Sequence, residues 1–193
     1  MNITITKRDG SRVPFNADNI NKSIERACHG ISDPISKVIQ IATETRLTLY
    51  DGITTDELDA ATINAALHNS QFGLEFDKIA TRLLLKDIYK KVLGDYDNEE
   101  SKVISQEEFA KLHNTNFKQY ILNAVERGLL DQRMATIFDL DDLSQALKVE
   151  NDELYKYSGL STMLNRYLVK NEKQLPLETP QYFWMRVAMG MSL

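Results

Sequence analysis

Helix starts and helix stops recur along this chain at such regular intervals that most of it can only be a series of short amphipathic helices. Asn16 stands before Ile20, Ile24 and Ala27, an apolar stripe at spacings of four and three, and so caps a first helix. Asp33-Pro34 puts a capping residue before a proline suited to the first helical position, and Ile35, Val38, Ile39, Ala42 and Leu49 carry a second stripe toward the stop at Gly52. Thr54-Thr55-Asp56-Glu57 has the form of a capping box, opening a third helix through Leu58, Ala61, Ala65 and Ala66. A fourth is expected from Phe76 to Val92, with Ile79, Leu83, Leu84 and Ile88 on its buried face and Gly94 at its end.

Ahead of these helices, Ile3 and Ile5 alternate with polar neighbours, Asp9-Gly10 signals a type I′ turn, and Arg12 to Phe15 forms a return strand. The expected fold is therefore mainly α, with an N-terminal β-hairpin capping a four-helix bundle and a second, mostly helical module after it. The polar, acidic stretch at 94–104 reads as a linker, dividing the chain into 1–93 and 105–193. In the second part Ser105 and Glu108 form another capping box, Phe117 to Arg127 is helical up to Gly128, and Asp139 caps a short helix through Leu143 and Leu147.

Thr179-Pro180 opens a last helix, in which Phe183, Trp184, Met185, Val187, Met189, Met191 and Leu193 are apolar almost all round. Two readings stay open for it: burial against its own module, or cover by another polypeptide.

Composition narrows the function classes. The chain has 193 residues and a net charge of −5, with 23 basic against 28 acidic side chains, so a nucleic-acid surface would work against the overall field. Its eight glycines are too scattered for a dinucleotide fingerprint or a Walker loop, and its single cysteine, Cys28, with three histidines gives no metal-ligand spacing. There is no apolar run of about 18 residues and no signal-peptide pattern at the start, so a cytoplasmic protein without membrane or nucleic-acid partners is expected.

One constellation could carry chemistry. Lys7, Arg8 and Lys22 lie near the helix start at Asn16, where unpaired backbone N–H groups and the helix dipole favour an anion such as a polyphosphate. The plainer alternative is that these cations are simply solvated.

The segment Ile5-Thr6-Lys7-Arg8-Asp9-Gly10, then Val13-Pro14-Phe15-Asn16 with Ile20, then Tyr50 to Leu58, and finally Ala80-Thr81-Arg82-Leu83 with Lys90, resembles the ATP-cone of ribonucleotide reductase large subunits. Tyr157-Ser158-Gly159, Asn165-Arg166-Tyr167-Leu168 and Glu178 to Met189 are similar to the start of the helical region of the same subunit. The resemblance implies an overall-activity switch that binds ATP or dATP, accompanied by magnesium. It implies that Lys7 contacts phosphate, and that Val13, Pro14, Phe15, Asn16, Ala17, Asp18 and Asn19 wrap the nucleotide. It places Thr55 beside base or sugar and gives Lys90 to the phosphates. Arg8, Asp9 and Lys22 are neighbours by the same implication, and Phe15 and Ile20 either touch the base or pack in the core.

Two positions depart from the pattern: Asn19 stands where relatives often carry Lys, and Asp59 where some carry His. Each removes positive charge from the site. The resemblance further implies partners, namely the catalytic remainder of the large subunit and a radical-generating small subunit, in a homo- or hetero-oligomer that makes deoxyribonucleotides. Reduction in that family needs a thiyl-forming cysteine and a redox pair, so with Cys28 alone this chain is expected to hold no catalytic residue and no redox cofactor, and to contribute to catalysis only as a component. The barrel that carries those cysteines is expected beyond Leu193. Two other readings are kept: a degenerate cone serving as a helical assembly module, and a free-standing nucleotide sensor of the zinc-ribbon kind, against which the missing cysteine pairs weigh.

Overall fold

The computed structural model describes residues 3–94 and 105–193, so most of the expected linker at 94–104 lies outside the described residues. The chain divides into two compact units, Met1–Asp87 and Ile88–Leu193. The division falls inside one helix.

In the first unit, β1 (Thr4–Thr6) pairs antiparallel with β2 (Arg12–Pro14), as the alternation predicts. The turn differs from expectation. A type I′ turn needs positive φ at both central residues, but only Gly10, at φ 83°, has it. The chain instead closes a three-residue loop: the Gly10 N–H donates to the Lys7 carbonyl (2.9 Å), and the Lys7 N–H donates to Ser11 (2.8 Å). Asp9 stitches this loop, accepting from the Ser11 N–H at 2.8 Å and its hydroxyl at 2.6 Å, and these bonds hold its pKa below the usual value.

A third strand escaped the sequence. β3 (Ile53–Thr54) adds parallel to β1, giving the order β2-β1-β3. Asp51 locks this edge by accepting from the Thr4 N–H (2.8 Å) and hydroxyl (2.7 Å), while the Gly52 N–H returns a bond to the Thr4 carbonyl. Gly52 has φ 85°, a left-handed conformation that glycine adopts without strain.

The helices are α1 (Ala17–Ala27), α2 (Pro34–Leu47), α3 (Thr55–His68) and α4 (Leu74–Leu93), with a 3-10 turn at Asn69–Phe72. Asn16 caps α1 by accepting from the Asp18 N–H, and Thr54 with Glu57 forms a reciprocal capping box on α3. Asp33 precedes α2 without a side-chain cap bond. α4 starts two residues earlier than the stripe suggests, and Gly94 follows it at φ 81°.

α2 corrects the sequence reading. Its buried residues are Val38, Ile41, Ala42 and Thr45, whereas Ile35 and Ile39 are 73% and 60% exposed and Leu49 lies past the helix end. Thr45 can enter the core because its hydroxyl donates to the Ile41 carbonyl at 2.8 Å, so no polar atom is left unsatisfied. Ile24, Ile41, Ala66, Ile79 and Ala80 are wholly buried around these helices. Arg82 donates to the carbonyls of Ala27 (2.9 Å) and His29 (2.6 Å), placing a cation where α1 ends.

The second unit is helical, with α5 (Gln106–Glu126), α6 (Arg133–Thr136), α7 (Leu140–Gln145), a 3-10 stretch at Val149–Leu154, α8 (Tyr157–Arg166) and α9 (Pro180–Met191). The Ser105–Glu108 capping box and the Phe117–Arg127 stretch belong to one helix, α5, and Asp139 caps α7 as expected. Phe117, Tyr120, Ile121, Ala124, Met134, Leu140, Leu147, Tyr182 and Met189 form the core. α9 is two-faced rather than buried all round: Tyr182 and Met189 are inside, while Trp184 is 53% and Met191 85% exposed.

No described helix is long and apolar enough to cross a membrane.

Candidate functional site

The hairpin loop, the first turn of α3 and the C-terminal half of α4 converge on one charged cluster in the first unit. Arg8, on the loop, donates from Nε (3.2 Å) and Nη2 (3.0 Å) to Asp56 Oδ1 and from Nη2 to Asp87 Oδ1 (3.4 Å). Asp56 and Asp59 stand three residues apart and so share a face of α3, toward Asp87 on α4. One oxygen of each of the three carboxylates lies within 4.8 Å of the others. Their exposures differ: the Asp56 side chain is 47% accessible and that of Asp87 only 10%. An exposed pair such as Arg8–Asp56 contributes about 1 kcal/mol or less, while a carboxylate as enclosed as Asp87 is costly to leave without a counter-charge.

Beneath this cluster Lys86 donates to the Ser23 hydroxyl at 2.8 Å. Ser23, Asp59, Thr62, Leu83, Lys86 and Asp87 surround a cavity of about 10 Å³, which is room for one water. Close by, the Thr6 hydroxyl donates to Gly52, and Thr55 Oγ1 lies 3.4 Å from the Thr6 carbonyl.

Of the residues singled out in the sequence, Arg8 and Thr55 therefore meet around β1 and the start of α3. Lys7 is exposed on the same loop. Asp9 is taken up in the loop stitch. Val13 and Pro14 end β2, with Val13 half-buried, and the Phe15 N–H extends that edge to the Ile3 carbonyl at 2.9 Å. Asn16 caps α1, Ala17, Asp18 and Asn19 form its first turn, and Ile20 is 6% exposed in the core. Lys22 is exposed on α1. Lys90 is half-buried on α4 and belongs to the second unit.

Sequence reasoning missed Asp56, Asp87, Lys86 and Ser23. Asp87 alone left a trace, as an acid between Leu83, Leu84, Leu85 and Ile88 on an otherwise apolar face.

A larger hollow than the small cavity beside Asp59 and Asp87 lies elsewhere. A groove of about 600 Å³ runs between α1 and α2, with Cys28, Ile31, Ile35, Val38 and Ile39 along it and Glu25 and Arg46 at its sides. It holds none of the residues proposed for phosphate, and its lining suits apolar matter rather than a polyanion.

The second unit places its polar groups inside. Glu178 is fully buried and takes a bidentate pair of bonds from Arg186 Nε and Nη2, both 2.8 Å, with further donation from the Val169 N–H (2.8 Å) and from the Tyr120 hydroxyl. Burial, then the Glu178 charge, drives the Tyr120 pKa far up. His113 Nε2 meets Thr179 Oγ1 at 2.8 Å, and burial pushes its pKa down to about 4. Asp152 accepts from Tyr89 (2.7 Å) and Gln181 (2.8 Å), and burial raises its pKa to about 6. These groups are fully partnered and enclosed, an arrangement that rigidifies rather than reacts.

Comparison with known proteins decides the family. Residues 3–91 match the ATP cone domain, and residues 153–193 match the ribonucleotide reductase all-alpha domain. The chain belongs to the ribonucleotide reductase large-subunit family, corresponding to its N-terminal part. It is 31% identical over 189 residues to the ribonucleoside-diphosphate reductase subunit alpha of Chlamydia pneumoniae, covering 98% of this chain and 17% of that protein. It is 29% identical to the Helicobacter pylori subunit alpha (98% and 22%) and 28% identical to the Caenorhabditis elegans large subunit (97% and 22%). The chain thus spans about a fifth of the length of the relatives it matches. The cone match covers both halves of the Arg8 cluster, the loop and the two acidic helices.

Proposed function

We propose that the first unit binds ATP or dATP and that the chain acts as the regulatory N-terminal segment of a ribonucleotide reductase large subunit. The observation that carries this reading is the cone match over the unit in which the hairpin, Thr55 and the start of α1 come together. Lys7 and Arg8 supply charge to the phosphates. The turn from Val13 to Asn19 lies against the nucleotide, with the N-terminus of α1 behind it, and Thr55 faces the base or sugar. Lys90 and Lys22 add positive potential.

Magnesium accompanies the nucleotide in this reading, because the hard oxygen donors of Asp56, Asp59 and Asp87 repel bare phosphates and suit a divalent cation that travels with them. The nucleotide then shifts assembly or activity by binding one state more tightly than another. Chemistry belongs to the remainder of the large subunit, working with a radical-generating partner on ribonucleotides in the cytosol, where a buried free thiol such as Cys28 stays reduced.

A specific observation favours a second reading, a cone that has lost its ligand and serves in assembly. Arg8 is bonded to two carboxylates, Asp56 and Asp87, and Asp59 stands within 4.8 Å of both, beside a cavity with room for a single water. Calorimetric titration with dATP and ATP in magnesium separates the two. Saturable binding that disappears in Lys7→Ala supports the nucleotide switch, and no heat from the folded chain leaves the assembly module.

A further inference from the structure

We infer that α4 carries the state of the nucleotide site into the second unit, and that the hydrogen-bonded chain Tyr89–Asp152–Gln181 is where α9 receives it. This rests on reading the first unit as nucleotide-binding.

The two units share α4: the first ends at Asp87 and the second begins at Ile88, inside the same helix. From Leu74 to Leu93 its sequence has no Gly and no Pro, the residues at which helices usually kink, so the segment across the boundary is stiff. On one side of the boundary Asp87 takes a bond from Arg8 (3.4 Å), which puts an α4 carboxylate in the charged cluster. A polyphosphate or its magnesium bound beside that carboxylate acts on α4 directly, whatever else Asp87 touches. Tyr89 follows two residues on, a rise of about 3 Å along the helix axis.

Tyr89 is buried in the second unit. Its ring packs against Phe109 of α5, 5.0 Å between centroids, and its hydroxyl donates to Asp152 Oδ2 at 2.7 Å. Asp152, 1% exposed in the 3-10 stretch, takes a bond on its other oxygen from Gln181 Nε2 at 2.8 Å. Gln181 lies in the first turn of α9, between Pro180 and the core residue Tyr182. One carboxylate thus ties α4 to the start of α9, and each of its oxygens serves one of the two helices. A carboxylate this enclosed is costly to leave half bonded, so a restraint on α4 is passed on rather than absorbed. Nucleotide binding restrains α4 at Asp87, and the start of α9 is then held more firmly.

The test is hydrogen exchange of the full chain, with and without saturating magnesium-dATP, in the wild type, Tyr89→Phe and Gln181→Met. In the wild type, exchange at residues 149–154 and 180–186 should slow by about threefold when the hairpin becomes protected. Tyr89→Phe and Gln181→Met should each keep the protection at the hairpin and lose most of the slowing in the second unit. The ratio with and without nucleotide is the readout, because a merely structural loosening raises both rates and leaves that ratio unchanged. If one variant fails to fold, the other carries the test. Hairpin protection without slower exchange in the second unit of the wild type, or a ratio that survives undiminished in the folded variants, overturns the coupling and leaves the nucleotide reading standing. No binding of dATP by the folded wild type overturns both.

Discussion

Arg8 and Arg186 are both paired with carboxylates, but in surroundings that give the pairs different work. Arg8 lies at a surface and reaches its acids through one side of its fork, with a third carboxylate and a small cavity beside them. Arg186 meets a Glu178 with no exposure at all, through two parallel bonds, with Tyr120 and a backbone N–H completing the carboxylate. The Arg8–Asp56 pair is screened by water, so breaking it costs little. The second cannot be opened without stranding a buried charge. Charge held near water is available for ligand exchange, and charge sealed in a satisfied network specifies one packing.

Breaking the sealed pair should produce the largest effect. Glu178→Ala strands Arg186, and urea unfolding should show the second unit destabilised by about 3 to 5 kcal/mol. Breaking the exposed Arg8–Asp56 pair by Asp56→Ala should cost about 1 kcal/mol or less, and equal losses would erase the contrast.

The next effect is pH-dependent and concerns two buried groups of opposite sign. His113 has its pKa depressed from 6.5 to about 4, so the stability tied to its neutral form is complete above pH 6.5 and is lost as pH falls toward 4. Asp152 has its pKa raised from 3.8 to about 6, so its contribution is complete below pH 4 and is lost as pH rises through 6. Over pH 4 to 6 the two slopes oppose each other. In Asp152→Asn the unfolding free energy of the second unit, from urea titration, should fall more steeply on acidification than in the wild type, by about 2 kcal/mol across that window. An unchanged profile would remove Asp152 from the account.

A local device in the first unit should matter less. Thr54→Ala removes one arm of the capping box on α3, and thermal unfolding should register about 1 kcal/mol. Least of all, Ile39→Ser should stay within about 0.5 kcal/mol, because the side chain is 60% exposed; a large loss would restore the α2 face that the sequence suggested.

What was legible in the sequence follows the range of the interactions. Asn16, Thr54 with Glu57, Ser105 with Glu108, and Asp139 bond within three residues, and their helix starts lie where the sequence puts them. The buried face of α2 was misplaced because two apolar stripes overlap on it, and the deciding residue, Thr45, hides its hydroxyl in its own helix. β3 is two residues long and pairs across 48 positions, too short for alternation to announce it.

The candidate site divides the same way. Lys7, Arg8 and Thr55 could be named from motif residues, whereas the acids around Arg8 depend on contacts across 48 and 79 residues. The Glu178 network was illegible for a further reason: a glutamate is rarely buried, and only the fold supplies the partners that permit it.

Hydrogen exchange of the whole chain with and without saturating magnesium-dATP tests the central claim most directly. The account predicts protection at Lys7–Asn19 and at the first turn of α3, where exchangeable charge is concentrated. Protection confined to the α1–α2 groove around Ile31–Ala42, or no change at the hairpin and α3, would contradict it.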